Sequence, residues 1–307
     1  MRTFYLWFNR HSKVVTPMLL LALVCAALAM WTLRYRPPTT NSDTHGTWIA
    51  VTWIMQNVPY DIILKTSRLG IQAPALLMAT LFGDGPVVFN FAPLLAYLTV
   101  LVTSFLIVAR LAGRVPAVIT AICLLLFREF VRSGTQPTPG IFLAAYFGVL
   151  TLMLVLYMPG RQWGCLLLAG ISFGFAYMSK ITAVLAGPGI LLIFFLFRVR
   201  KEHVAVFCLG FAAVYAVEHA FYAMHGTPGG RIHAIKRALD SEINRPFSKE
   251  QPMTAARKQQ HQRRVDTVTI YNWKDVYKFF LRYTPQWAGW HWTTAFLYWL
   301  PATLYLV

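Results

Sequence analysis

Apolar stretches alternate with shorter polar ones along this chain, and eight of the apolar stretches read as membrane helices. The clearest cover residues 14–33, 86–109, 138–158, 204–222 and 287–307. A helix needs about 20 apolar residues to cross the hydrocarbon core. Three shorter stretches cover residues 115–127, 163–179 and 182–197. The last two are separated by little more than Lys180 and predict a tight helical hairpin. Residues 115–127 run straight into Arg128-Glu129, so either those charges sit inside the protein near the membrane face or that stretch is not a full crossing. The pattern predicts an all-α, polytopic integral membrane bundle of about eight transmembrane helices, because lipid tolerates only backbone that is hydrogen-bonded within its own helix or a closed barrel.

Between the first two long stretches the pattern changes. Residues 48–57 are moderately apolar, and residues 70–82 form an apolar run containing Pro74. Neither is long enough to span, so both are expected at the membrane surface, with Trp48, Trp53 and Tyr60 at headgroup level. The chain divides into a transmembrane module at 1–222 with its first outer loop at 34–85, a long loop at 223–286 and a terminal helix at 287–307. In the long loop, residues 271–283 place Val276, Phe279 and Phe280 on one helical face, the pattern of an amphipathic helix leading into the last span.

Composition strengthens the membrane reading. The chain is 57% hydrophobic, with mean hydropathy +0.52. Its 28 Lys+Arg against 11 Asp+Glu give a formal charge of +17. In a soluble protein that excess would raise nucleic acid as a partner. Here the cations sit mainly between apolar stretches, so membrane lipids with anionic headgroups or a phosphorylated lipid substrate are the expected partners, and nucleic acid is not.

The charges also suggest an orientation. With the basic residues 1–13 cytoplasmic, Arg110 with Arg114, Arg161, and Arg198-Val199-Arg200-Lys201 all fall inside, as the positive-inside bias expects. Residues 34–85, residues 128–137, Lys180 and residues 223–286 then fall outside, although the last carries 12 Lys+Arg against 5 Asp+Glu. The first apolar stretch is too long for a signal-peptide core and lacks a small-residue cleavage site, so an uncleaved first helix is expected. Cys25, Cys123, Cys165 and Cys208 all lie in apolar stretches and read as small buried hydrophobes rather than as a disulfide framework or a thiolate site.

Candidate chemistry lies in the outer segments. Asp43 follows the first helix by about ten residues, in Asn41-Ser42-Asp43-Thr44-His45-Gly46. A carboxylate there can accept a proton from a hydroxyl attacking a sugar carbon. Equally, Ser42-Asp43 can cap a helix beginning near Thr47 or Trp48. His45 has no second ligand at metal-binding spacing, so no metal site is expected, and the absence of a nucleotide-binding glycine loop points to no cofactor. Arg128, Glu129, Arg132 and Lys180 form a second outward set. Charges at helix ends are commonly interfacial anchors, but Lys180 ends a small-and-aromatic helix where a cation can meet a lipid phosphate. Glu218 and His219 are unusual for their depth in an apolar stretch and suggest pairing with a cation in the bundle.

The basic N-terminus, single helix, outer loop with an early Asp43 and later Leu168-Ala169-Gly170-Ile171-Ser172-Phe173-Gly174-Phe175-Ala176-Tyr177-Met178-Ser179-Lys180 together resemble the GT-C glycosyltransferases related to protein mannosyltransferases and lipid A aminoarabinose transferases. The resemblance implies a polyprenyl-phosphate-linked sugar donor used on the outer side of a bacterial inner membrane. It maps an acidic residue of the first outer loop onto Asp43, and a small-residue pattern onto Ala169, Gly170, Gly174, Ala176 and Lys180. It also implies a donor-phosphate role for Lys180, Arg128 and Arg132. The family's second acidic position reads Ser133-Gly134-Thr135-Gln136 here, leaving Glu129 as the secondary acidic candidate. That departure, the stop inside the last apolar stretch and the cluster Trp287, Trp290, Trp292 and Trp299 suggest an alternative: a non-catalytic subunit with partners in a larger membrane protein complex.

Overall fold

The computed structural model describes residues 12–34, 42–56, 68–83 and 86–224, and all of them fall in one compact unit, Met1–Ile243. The terminal stretch at 287–307, the helix expected at 271–283 and most of the long loop lie outside the described residues. Within them the chain is all-α: α1 Ser12–Arg34, α2 Ser42–Met55, α3 Leu69–Phe82, α4 Pro86–Phe89, α5 Phe91–Leu111, α6 Arg114–Leu126, α7 Arg128–Ser133, α8 Pro139–Gly160, α9 Trp163–Ser179, α10 Gly187–Leu196 and α11 Lys201–Met224.

Four helical segments among the described residues are long and apolar enough to cross a membrane: Thr16–Leu33, Val87–Leu111, Pro139–Gly160 and Lys201–Met224. The expectation of about eight crossings is therefore corrected. Three of the expected spans form shorter apolar helices, Arg114–Leu126, Trp163–Ser179 and Thr182–Leu196. At a rise of about 1.5 Å per residue, α6 and α9 fall short of the roughly 30 Å hydrocarbon core. Leu69–Phe82 is a fourth short apolar helix, and it corrects a second expectation. It is part of the bundle rather than a surface helix, burying Leu69, Gly70, Ile71, Gln72, Ala75, Met78 and Ala79. Trp48 likewise packs inward, stacking on Phe89 at 6.1 Å.

The expected hairpin after α9 is also modified. Lys180 is extended, residues Ile181–Ala186 form a 3₁₀ turn, and the α-helix resumes only at Gly187. Pro188 suits the restart there: it has no N–H to donate back along a helix, and it stands in the first turn of α10, where none is required. The cysteines depart from expectation too: Cys25, Cys123 and Cys208 are exposed on the bundle's outside and Cys165 is intermediate. Such outward apolar residues are ordinary where the surrounding solvent is lipid.

The central element is α9, packed against α3, α8 and α11. Its small residues explain how. A Cβ on Gly170 would meet the carbonyl of Phe207, and one on Gly174 would lie 2.7 Å from Val214 Cβ. The partner helix answers with Gly210, where a Cβ would lie 2.5 Å from the Leu167 carbonyl. At Gly170 and Gly210 the two helix backbones thus meet directly, and at Gly174 the missing side chain admits Val214, the usual means of helix association where lipid removes the hydrophobic drive. Ala169 and Ala176 are fully buried on the same helix. Elsewhere α1 is peripheral and buries one stripe, Leu23, Ala27 and Trp31; the Trp31 indole Nε1 donates to the Gly134 carbonyl at 2.9 Å, tying α1 to the end of α7.

This seam makes a contrast. Gly170→Val places atoms against backbone that cannot move aside, and a loss of about 1–3 kcal/mol or more is expected. Gly164 lies on the same helix with open space at its Cβ position, so Gly164→Ala should be neutral or stabilising by up to about 1 kcal/mol. Thermal unfolding of the detergent-solubilised chain measures both; equal effects would contradict the packing described.

Candidate functional site

The bundle has two polar ends. One gathers Arg110, Arg161, Arg198 and His203; the other forms where the start of α3 meets the end of α9. At that second end Gly70 lies directly on Ser179, since a Cβ there would overlap the Ser179 hydroxyl and lie 2.7 Å from the Phe175 carbonyl. Tyr146 of α8 closes the joint: its hydroxyl donates to the Gly70 carbonyl at 2.8 Å, and its ring stacks on Phe175 at 5.4 Å. That bond satisfies a carbonyl in a place where water is scarce. Leu69, Met178 and Val214 form a small apolar core beneath it.

Lys180 leaves the bundle at this joint. Its backbone N–H closes α9 on the Ala176 carbonyl, its backbone is extended and its side chain is exposed. Arg68 is the residue before α3 and so stands two positions from Gly70, with its own side chain only partly exposed. The joint therefore brings two cationic residues of distant sequence near one another, of which the sequence pattern singled out Lys180 alone. Arg68 follows a polar stretch, and only the packing of Gly70 on Ser179 reveals its place.

One turn beyond Val214 on α11, toward the same end of the bundle, lies Glu218, 1% exposed. It occupies one stripe of α11 with Val214, which packs against Leu69 and Met178, and Tyr222, which packs with Ala50 of α2. A carboxylate at that depth is costly and is kept only where a fixed environment holds it. Gln72, one turn after Arg68 on α3, and Ser179 are also fully buried polar residues, and Ser179 Oγ donates to the Phe175 carbonyl at 3.0 Å. His219, expected with Glu218 to pair with a cation in the bundle, faces outward and stacks on Tyr215 at 6.4 Å. With Tyr177 against Tyr215 at 6.2 Å and Phe211 against Tyr215 at 6.5 Å, these rings form an aromatic column climbing α9 and α11 toward the Lys180 end. The signal for that column is the four-residue spacing of Phe207, Phe211, Tyr215 and His219.

The remaining candidates lie elsewhere. Arg128, Glu129 and Arg132 are exposed on α7, which packs with α1, α5, α6 and α8. Arg132 Nη1 comes within 3.7 Å of Glu129 Oε2, an exposed i,i+3 pair of little energetic weight. Structure thus brings Arg132 and Glu129 together, and places Lys180 on the separate α3–α9 joint. Asp43 lies in the first turn of α2, which begins at Ser42 and not near Thr47 or Trp48, so the expected cap position is corrected; its side chain lies outside the described residues. The rest of α2 packs on α3, and Ala50, Trp53 and Ile54 pack with Phe221 and Tyr222 of α11. Among the described residues no group of three His, Cys, Asp or Glu side chains is arranged to hold a metal ion.

Substitutions at two positions test this end of the bundle. Tyr146→Phe removes one buried hydrogen bond and should cost about 1–3 kcal/mol through the Gly70 carbonyl left unsatisfied. Glu218→Ala should cost a similar 1–3 kcal/mol, with Glu218→Gln milder because it keeps shape and hydrogen-bonding capacity. Thermal unfolding measures each; an Ala variant as stable as the wild type would show that the carboxylate is not part of the packed interior.

Residues 72–221 match the family described as dolichyl-phosphate-mannose-protein mannosyltransferase, a segment just under half of the chain's 307 residues. Neither the curated proteins nor the solved structures contain a match to the chain. The matched segment runs from within α3 to within α11, so it includes Lys180, Glu218 and the glycine seam and excludes Asp43. Long apolar helices associate the chain with a membrane, and the match supports its membership in the broader protein mannosyltransferase-like, GT-C-type family.

Proposed function

We propose that this protein transfers a glycosyl group from a polyprenyl-phosphate-linked sugar to an acceptor on the outer side of a bacterial inner membrane, with its N-terminus cytoplasmic. The observation that carries this reading is the family match over residues 72–221, because that segment contains Lys180 at the α3–α9 joint. In the proposed reaction the acceptor hydroxyl oxygen attacks the anomeric carbon. Asp43 takes the hydroxyl proton, the bond from that carbon to the phosphate oxygen breaks, and the polyprenyl phosphate leaves with the electron pair. Lys180 stabilises the charge growing on the leaving phosphate, as a positioned cation does best where water is excluded. Arg128, Arg132 and Glu129 stand apart from this joint on α7 and are given no part in this step.

A donor-dependent assay on the purified chain tests the proposal. Asp43→Asn should lower turnover by about 10²–10⁴-fold, the usual contribution of a general base. Lys180→Ala should weaken use of the donor while leaving unfolding temperature near that of the wild type, since the side chain is exposed. Turnover unchanged by Asp43→Asn would remove that residue from the mechanism. No turnover with any lipid-linked sugar, together with recovery of the chain in a stable stoichiometric complex, would favour the non-catalytic subunit instead.

A further inference from the structure

The opposite end of the bundle holds a cavity of about 470 Å³ between the ends of α5, α8 and α10. Arg110 and Arg161 line it together with the apolar side chains of Leu111, Met158 and Phe197, and Tyr157 lies in its wall. Tyr157 is buried and its hydroxyl meets His203 Nδ1 at 2.9 Å, which fixes that wall to the first turn of α11. The volume suits a small amphiphile's head and neck.

Charge and backbone both single out this place. Residues 110–114, 161 and 198–202 carry six cations, Arg110, Arg114, Arg161, Arg198, Arg200 and Lys201, against one carboxylate, Glu202. At a membrane boundary, where screening is weaker than in bulk water, such an excess is relieved by an anion. Arg161 and Arg198 have φ of 48° and 47°, the two positive values outside glycine among the described residues. Both stand where a helix ends and glycine is the usual residue. Their side chains are therefore kept in positions whose backbone favours having none. The Arg161 guanidinium also reaches the Arg198 carbonyl at 3.4 Å, so the two strained turns form one rim.

We infer that this cavity is a binding site for the phosphate headgroup of an anionic membrane phospholipid, held by Arg110 and Arg161 with its glycerol neck against Leu111, Met158 and Phe197. Arginine suits the role because its planar fork binds a phosphate through paired hydrogen bonds. Apolar walls below the rim favour a lipid over a free anion, since inorganic phosphate would leave them uncovered. The inference is independent of the glycosyl-transfer reading, which concerns the other end of the bundle.

Native mass spectrometry of the full chain in neutral detergent tests it, with short-chain phosphatidylglycerol, the matching phosphatidylcholine and inorganic phosphate as probes. The wild type should retain phosphatidylglycerol at least about tenfold more tightly than phosphatidylcholine, and Arg110→Gln with Arg161→Gly should abolish most of that preference. Arg161→Gly suits the left-handed turn, so on its own it should fold at least as well as the wild type and still lower the preference severalfold. Equal retention of the two lipids by the wild type would overturn the proposal. So would a preference untouched by Arg161→Gly, or displacement of phosphatidylglycerol by inorganic phosphate at comparable concentration.

Discussion

Backbone contact between α9 and α11 is the constraint on which the rest of the bundle depends. Gly170 and Gly174 on one helix and Gly210 on the other remove the side chains that would hold the two apart. In lipid, apolar side chains gain little by meeting one another, so close approach and dispersion must supply the association. Once α11 is held on that side, α9 is free to pack α8 and α3 on its others. The joint at Gly70 and Ser179 uses the same device at the end of α9, with the Tyr146 hydroxyl added to satisfy a carbonyl. The position of Lys180 and the depth of Glu218 both follow from these contacts. Neither would be defined if α9 were displaced by a side chain's width.

The two ends of this core have different chemistry. One presents exposed Lys180 and partly exposed Arg68 together with a buried carboxylate and an aromatic column. The other gathers arginines around an apolar-walled cavity. Many cations suit lasting attraction to an anionic surface. The family match includes residues of both ends, Lys180 and Glu218 at one and Arg110 and Arg161 at the other, and begins after Asp43.

Much of this was legible in the pattern of apolar residues, and the exceptions have physical causes. The long helices at Thr16–Leu33, Val87–Leu111, Pro139–Gly160 and Lys201–Met224 were readable because length and apolarity alone decide whether a segment can span. Leu69–Phe82 was misjudged as a surface helix because its length matches an interfacial segment and its buried side is set by partners far along the chain. The small-residue pattern at Ala169, Gly170, Gly174 and Ala176 was visible as part of a family resemblance, and its role in the structure is close packing. Glu218 stood out because a carboxylate among apolar residues is costly wherever it lies. Arg68 and the Tyr146 bond to Gly70 were not readable, since each depends on a tertiary contact that no local spacing encodes.

The central claim is that α9 runs through the packed core beside the membrane-length α8, with Lys180 and Arg161 at opposite ends of the bundle. Single cysteines placed by Lys180→Cys and Arg161→Cys, in a chain whose own four cysteines are replaced, can be probed with a membrane-impermeant thiol reagent in sealed vesicles of either orientation. The account predicts labelling of position 180 from one side only and of position 161 only from the other. Labelling of both positions from the same side would contradict it.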